Sequence, residues 1–127
     1  MIEFNKLLQA VRMIENSIIT PVIYLNETEF KAEFICFSSE EVTEDDLFRV
    51  GESVSRILEK PAEVVDIMEY NANDRMDIIT NAELVYSDDP IVEQMFTMSM
   101  AEEHRRLYEQ KQNMLRRKNE SGSYYLQ

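Results

Sequence analysis

The sequence predicts one small α/β (α+β) domain: a mixed sheet of three or four strands with a β-hairpin, flanking helices and a long C-terminal helix. Three observations support this fold class. Residues 22–37 are rich in β-branched and aromatic residues around a polar turn, as in a hairpin. Residues 61–90 have the pattern of strand, short helix and short extended segment. Residues 90–118 then form one long helical pattern, and 127 residues suit a single domain.

The first predicted element is an amphipathic helix that ends near Asn16 and Ser17. Its apolar residues recur at helical spacing, with polar residues between them, so they should form one buried side. These residues are Phe4, Leu7, Leu8, Val11 and Ile14.

The hairpin follows. Pro21 has no N–H to donate, so it belongs near the start of the first strand. Residues 26–29, NETE, are the predicted turn, and FKAEFICF at 30–37 is the second strand. The residues on one side of this strand are Phe30, Ala32, Phe34 and Cys36. Because Ile35 and Phe37 make the other side apolar too, we expect burial on both faces.

The second helix should begin at Thr43, which forms a capping box with Asp46, and end at Lys60-Pro61. Its apolar stripe is Leu47, Val50, Val54, Ile57 and Leu58. Gly51 lies within the helix, where glycine costs about 1 kcal/mol relative to alanine, so we expect close packing there.

The remaining elements are a third strand at 63–68, a short helix capped within residues 71–74, and an extended segment at 82–86. Asp89-Pro90 should start the last helix. Its apolar residues are Ile91, Met95, Met98, Leu107, Tyr108, Met114 and Leu115. Since the charged run 102–106 interrupts this series, we predict a domain over residues 1–101, on which the first part of the helix packs, and a helical extension with a flexible tail over 102–127.

Charge is unevenly distributed along the chain. The net charge is −12, with 7 basic and 21 acidic side chains in residues 1–101 and 6 basic and 4 acidic in residues 102–127. An acidic body repels a phosphate backbone, which argues against general nucleic-acid binding. It favours contact with a basic protein surface or with another copy of the chain, although acidity that only maintains solubility is an open alternative.

The sequence gives little support for a membrane-spanning segment, a signal peptide, a reactive thiol or a metal site. No apolar run is long enough for a membrane helix, the N-terminus does not resemble a signal peptide, and a single cysteine points to the cytoplasm. Cys36 lies mid-strand among apolar residues, as expected of a buried structural thiol. His104 has no second histidine with which to bind zinc, and the acidic run 40–46 lacks EF-hand spacing. The sequence predicts no catalytic, cofactor-binding or metal-binding residue.

The order of the predicted elements, together with a few short motifs, resembles that of a known protein family. A third strand EVVDI, then Arg75, Ile78 and Ile79, and then ELVYSDDP before the last helix is similar to the minimal nucleotidyltransferase domains of the polymerase-β superfamily. These are the small type found as antitoxins beside HEPN-domain toxins. The resemblance covers the back half of the domain well and the front half by topology only. It implies a third strand placed parallel beside the hairpin.

The departures from that family concern its active site. Active members carry glycine-serine after the first strand and Asp-x-Asp on the second, which hold the triphosphate and Mg²⁺. Here no glycine precedes Gly51, and Ala32 and Phe34 occupy the two aspartate positions, with Glu33 between them pointing to the other face. Asp66 resembles the third carboxylate of the family. The resemblance therefore implies the scaffold without its enzymatic activity.

We therefore predict a non-catalytic module for protein interaction or regulation, with no cofactor. The alternative is a small acidic chaperone or adaptor that binds a segment of a partner protein. The expected partner is a protein or a second copy, with no nucleic acid and no membrane. The predicted partner-binding residues are Arg105, Arg106, Leu107, Tyr108, Lys111, Met114 and Leu115.

Overall fold

A computed structural model of the chain describes residues 2–38, 41–88 and 90–121. A 3-10 turn, Ile67–Glu69, follows the third strand. The elements in chain order are α1 (Phe4–Ser17), β1 (Val22–Glu27), β2 (Ala32–Cys36), α2 (Glu44–Leu58), β3 (Ala62–Asp66), α3 (Ala72–Asn81), β4 (Glu83–Ser87) and α4 (Pro90–Ser121).

The four strands form one mixed sheet in the order β3-β2-β1-β4. Strands β1 and β2 make the predicted antiparallel hairpin, and β4 pairs antiparallel with the other side of β1. Strand β3 runs parallel to β2, with Phe34 beside Val64. This arrangement confirms the predicted fold class, including the parallel third strand.

The sheet separates two apolar layers. Helices α1 and α2 cover one face, where Phe34 and Cys36 of β2 are fully buried. Helices α3 and α4 cover the other face, where Ile35 of β2 packs with Ile78 and Phe96. The predicted burial of β2 on both faces is therefore confirmed, and it explains why this strand contains almost no polar residue.

Local signals set the bounds of α2. Asp46 N–H donates to Thr43 Oγ1 (3.1 Å) and Thr43 N–H donates to Asp46 Oδ2 (3.0 Å), so the predicted capping box is present. Glu59 ends the helix in the left-handed region, at φ 55°. A Cβ added at Gly51 would lie 3.5 Å from the backbone oxygen of Ala62, which confirms the close packing expected there.

Three residues predicted to be core are exposed: Phe4, Leu8 and Phe30. On α1 the buried stripe is narrower than predicted, because α2 and the sheet contact only the side that carries Ala10 and Ile14. Phe30 lies in the turn before β2 begins at Ala32, so the alternation of the strand does not extend to it.

Helix α4 packs through a different side from the one predicted. Phe96 and Met100 are buried, and the Phe96 ring lies 4.9 Å from that of Phe37. Ile91, Met95 and Met98 are exposed, so the expectation that they pack on the body is wrong. They do share one side of the helix, as their spacing indicates, but it is the side that faces away from the sheet.

Two further predictions concern the residues just before and just after α4. Asp89, the predicted cap of α4, and the predicted flexible tail at 122–127 lie outside the described residues. Among the residues that the structure describes, none of the helices combines the length and apolarity needed to cross a membrane.

Candidate functional site

The two strand positions that resemble the catalytic aspartate positions are buried. Ala32 and Phe34 are both 0% exposed and pack beneath α1 and α2. A carboxylate at either position would be in an apolar layer, where an unpaired charge is very costly. Their side chains therefore serve the core.

The connection between β1 and β2 is a tight turn closed by Thr28. Thr28 N–H donates to Lys31 O (2.8 Å), and Thr28 Oγ1 accepts from the N–H groups of Phe30 (3.3 Å) and Lys31 (3.1 Å). Lys60 Nζ donates to Thr28 O (2.6 Å) and to Glu27 (2.9 Å), which ties the turn to the end of α2. The amides of Phe30 and Lys31, which a phosphate would need as donors, thus already bond to Thr28.

Asp66 accepts hydrogen bonds that stabilise the chain at the end of β3. Its Oδ1 accepts from Met68 N–H (2.8 Å) and so caps the 3-10 turn, while Oδ2 accepts from the Ser38 hydroxyl. Both oxygens therefore have protein donors. Asp66, the residue that resembles the family's third catalytic carboxylate, therefore caps a turn in this structure.

Polar groups gather on the opposite face of the sheet. Glu33 and Glu63 are direct register partners in the parallel pair, so their side chains share a face, and this is the face predicted for Glu33. Tyr70 Oη donates to Glu33 Oε1 (2.9 Å), and Lys31 Nζ lies 3.6 Å from Glu63 Oε2. Burial and the Glu33 carboxylate raise the pKa of Tyr70 to about 12, so its hydroxyl stays a donor at neutral pH.

The thiol of Cys36 lies in an apolar layer of the core. Cys36 is fully buried, and burial, followed by the charge of Asp66, raises the pKa of its thiol to about 12. It therefore stays protonated and unreactive near neutral pH. Across residues 2–38, 41–88 and 90–121, no group of three or more His, Cys, Asp or Glu side chains is placed to hold a metal ion.

An ion pair joins α3 to α4 where the long helix leaves the body. Arg75 Nη1 lies 3.1 Å from both carboxylate oxygens of Glu103, and its Nε donates to Tyr70 O (2.7 Å). The Arg75 side chain is only 13% exposed. This clamp therefore ties the middle of α4 to α3.

Beyond Glu103 the helix continues with an apolar stripe that has no body beneath it. All side chains from 105 to 116 are exposed. Leu107 and Met114 follow Met100 at intervals of seven, so they extend the side of α4 that packs on the sheet. Tyr108 and Leu115 widen this stripe, which we call the α4 stripe, comprising these four residues.

The three basic residues predicted to bind a partner differ in their position relative to the α4 stripe and in their ion pairs. Arg106 and Lys111 are both exposed. Lys111 lies on the side of the stripe, four residues after Leu107, whereas Arg106 follows Met95 by about three helical turns and so lies nearer the opposite side of α4. Arg105 pairs with Glu102 and Glu109 of the same helix, so it is the least suited of the predicted residues to contact another molecule.

Comparison with known proteins gives matches in structure only: no family model and no curated protein sequence matches the chain. A crystal structure of the toxin-antitoxin MntA-HepT aligns over 89% of this chain and 96% of that chain, with TM-score 0.74 and 10% identity. The chain therefore shares the fold of a protein from this toxin-antitoxin complex. A Shewanella oneidensis HEPN toxin in complex with MNT antitoxin aligns at TM-score 0.72 and 10% identity, over 87% and 93% of the two chains. A toxin-antitoxin solved with AMP-PNP aligns at TM-score 0.71 and 9% identity, over 86% and 94%.

The shared fold confirms the resemblance drawn from EVVDI and ELVYSDDP as a resemblance of fold. Two features of the site were missed in the sequence: the Glu33–Glu63 pair with Tyr70, and the Arg75–Glu103 clamp. The first depends on the register of two parallel strands, which the sequence did not fix. The second joins residues 28 positions apart, so no local pattern could indicate it.

Proposed function

We propose that this chain is a nucleotidyltransferase-fold protein without catalytic function that acts by binding a protein partner. The observation that carries this proposal is the α4 stripe, four apolar side chains on a helix that extends past the body. Exposed apolar groups arranged along one side of a helix are typical of a surface that another protein covers.

Three features of the structure support the absence of catalysis. The turn from β1 to β2 is closed by Thr28 and contains no glycine. Ala32 and Phe34 are core residues. Asp66 caps a turn with one oxygen and accepts from Ser38 with the other. A two-metal phosphoryl-transfer site needs several carboxylates around one open space, and these three features argue against such a site among the described residues.

We propose a toxin of the HEPN type as the class of partner, which makes the chain an antitoxin. The motive is the fold, because structures that share it include an MNT antitoxin in complex with a HEPN toxin. The parallel placement of β3 beside the hairpin also favours this interpretation over the alternative of an acidic adaptor of unrelated fold.

The binding energy should come mainly from the α4 stripe. Burial of apolar surface contributes about 25 cal/mol per Å², whereas exposed ion pairs contribute about 0–1 kcal/mol each. Lys111 would then favour an acidic group on the partner and increase the rate of association more than the affinity.

The test is affinity capture with tagged full-length chain from its native host, followed by mass spectrometry. We expect the wild-type chain to retain a folded protein of the HEPN type. The double variant Leu107→Glu/Met114→Glu should lose it, because two charges would then lie in the buried part of the interface.

The matched control is Met95→Glu/Met98→Glu, which places two charges on the opposite side of the same helix. This variant should retain the partner. Loss of the partner from the control, with retention by the Leu107/Met114 variant, would show that docking uses the other side of α4. Capture only of extended segments from unrelated proteins would instead support the adaptor function.

A further inference from the structure

A groove lies between α2 and the free edge of β3, far in sequence from the α4 stripe. Its volume is about 500 Å³, enough for a few large side chains. Its walls are largely apolar and include Leu47, Pro61 and Val64. Phe48 also lines it and is 65% exposed, so its ring extends the apolar wall of the groove toward solvent.

The rim of this groove is acidic. Glu44, Glu52, Glu63 and Glu69 line it, against one cation, Lys31. Lys31 lies 3.6 Å from Glu63, and Glu52 lies 4.0 Å from Arg56. An apolar groove with an acidic rim complements a segment that presents apolar side chains flanked by basic ones.

Helix α2 already covers the outer edge of β3, which limits the kind of segment that the groove can accept. Ala62 N–H donates to Ser55 Oγ (2.9 Å), and the Ser55 hydroxyl lies 3.1 Å from Ala62 O. A Cβ built at Gly51 would lie 3.5 Å from Val64 N, so α2 closely covers this edge. An incoming β-strand would have to displace α2, so the groove is suited to side chains presented by a helix.

We infer that the groove receives the α4 stripe of a second copy of this chain. The stripe carries Leu107 and Met114 with Lys111 between them on the same side of the helix, which matches the apolar walls and acidic rim. Helix α4 is continuous from Pro90 to Ser121, so residues 105–116 cannot turn back onto their own body. In a two-fold dimer each copy would donate its helix to the groove of the other, giving two identical contacts.

This inference shares the α4 stripe with the proposed function but does not depend on the identity of the external partner. Because both contacts use one stripe, the external partner and the second copy would compete. Self-association would then cover the apolar stripe while no partner is bound.

Sedimentation velocity on the full chain over a range of concentrations tests the inference. We expect a reversible dimer, and we expect both Phe48→Glu and Leu107→Glu/Met114→Glu to weaken it by more than about tenfold, as for central interface residues. Phe30→Glu is the control, because this exposed aromatic is not among the residues that line the groove or form the α4 stripe, and the variant should dimerise like the wild type.

Mixing the two defective variants gives the sharper result. A mixture of Phe48→Glu and Leu107→Glu/Met114→Glu retains one intact helix-groove pair, so it should form more dimer than either variant alone. A monomeric wild-type chain, or dimerisation unchanged by Phe48→Glu, would overturn the inference. The proposed function is judged separately, since a monomeric chain that still captures a HEPN-type protein would leave it intact.

Discussion

Replacing Phe34 with alanine is expected to lower the free energy of unfolding by about 3–5 kcal/mol, the range for truncating a buried aromatic. Phe34 is 0% exposed and lies between Leu25 of β1 and Val64 of β3, beneath α1 and α2. The truncated side chain leaves a cavity that these rigid neighbours can fill only in part.

Urea denaturation of the two forms gives the difference. Phe30→Ala is the matched control, because this phenylalanine lies in the same hairpin but is exposed, and its loss should change stability by less than about 0.5 kcal/mol. Equal effects of the two substitutions would mean that β2 does not bury Phe34, and the argument against a carboxylate site at this position would fail.

The second large effect is expected from Arg75→Met, which removes the clamp between α3 and α4. The change leaves Glu103, which is 33% exposed, and Tyr70 O without a donor. Loss of a charged partner in a partly buried pair costs about 1–3 kcal/mol. We expect that destabilisation in urea, and faster amide hydrogen exchange at the start of α4 because the helix is less firmly held.

Arg105→Met serves as the control, because it also removes an arginine that pairs with glutamates, but on an exposed side of the helix. It should leave both stability and exchange nearly unchanged. The double variant Arg75→Met/Glu103→Gln should recover part of the lost stability, since no carboxylate then remains unpaired. If Arg75→Met behaves like the control, the direction of α4 is set by apolar packing alone.

Sequence reasoning succeeded where a local signal determines local structure. Thr43 with Asp46, Pro21 before β1 and Asn71 before α3 each act within a few residues of themselves. The apolar alternation of β2 was equally direct, because burial on both faces leaves a continuous apolar run.

It failed where the answer depends on what packs against an element. Helical spacing correctly grouped Ile91, Met95 and Met98, but it could not tell which side of α4 faces the sheet. Phe96 and Met100 determine that side by contacting Phe37 and the α3 layer. The groove beside β3 was missed for the same reason, since it exists only once α2 lies against the edge strand.

The central proposal is that this chain does not bind nucleotides, although it shares its fold with a toxin-antitoxin protein solved with AMP-PNP. Isothermal titration of the full chain with Mg²⁺ and ATP, and then with each other nucleoside triphosphate, tests it most directly. We expect no saturable heat of binding at micromolar nucleotide concentrations, because Thr28 closes the turn between β1 and β2 and both Ala32 and Phe34 are buried. Saturable binding at low micromolar affinity that is lost in Asp66→Ala, with the variant still folded, would contradict it.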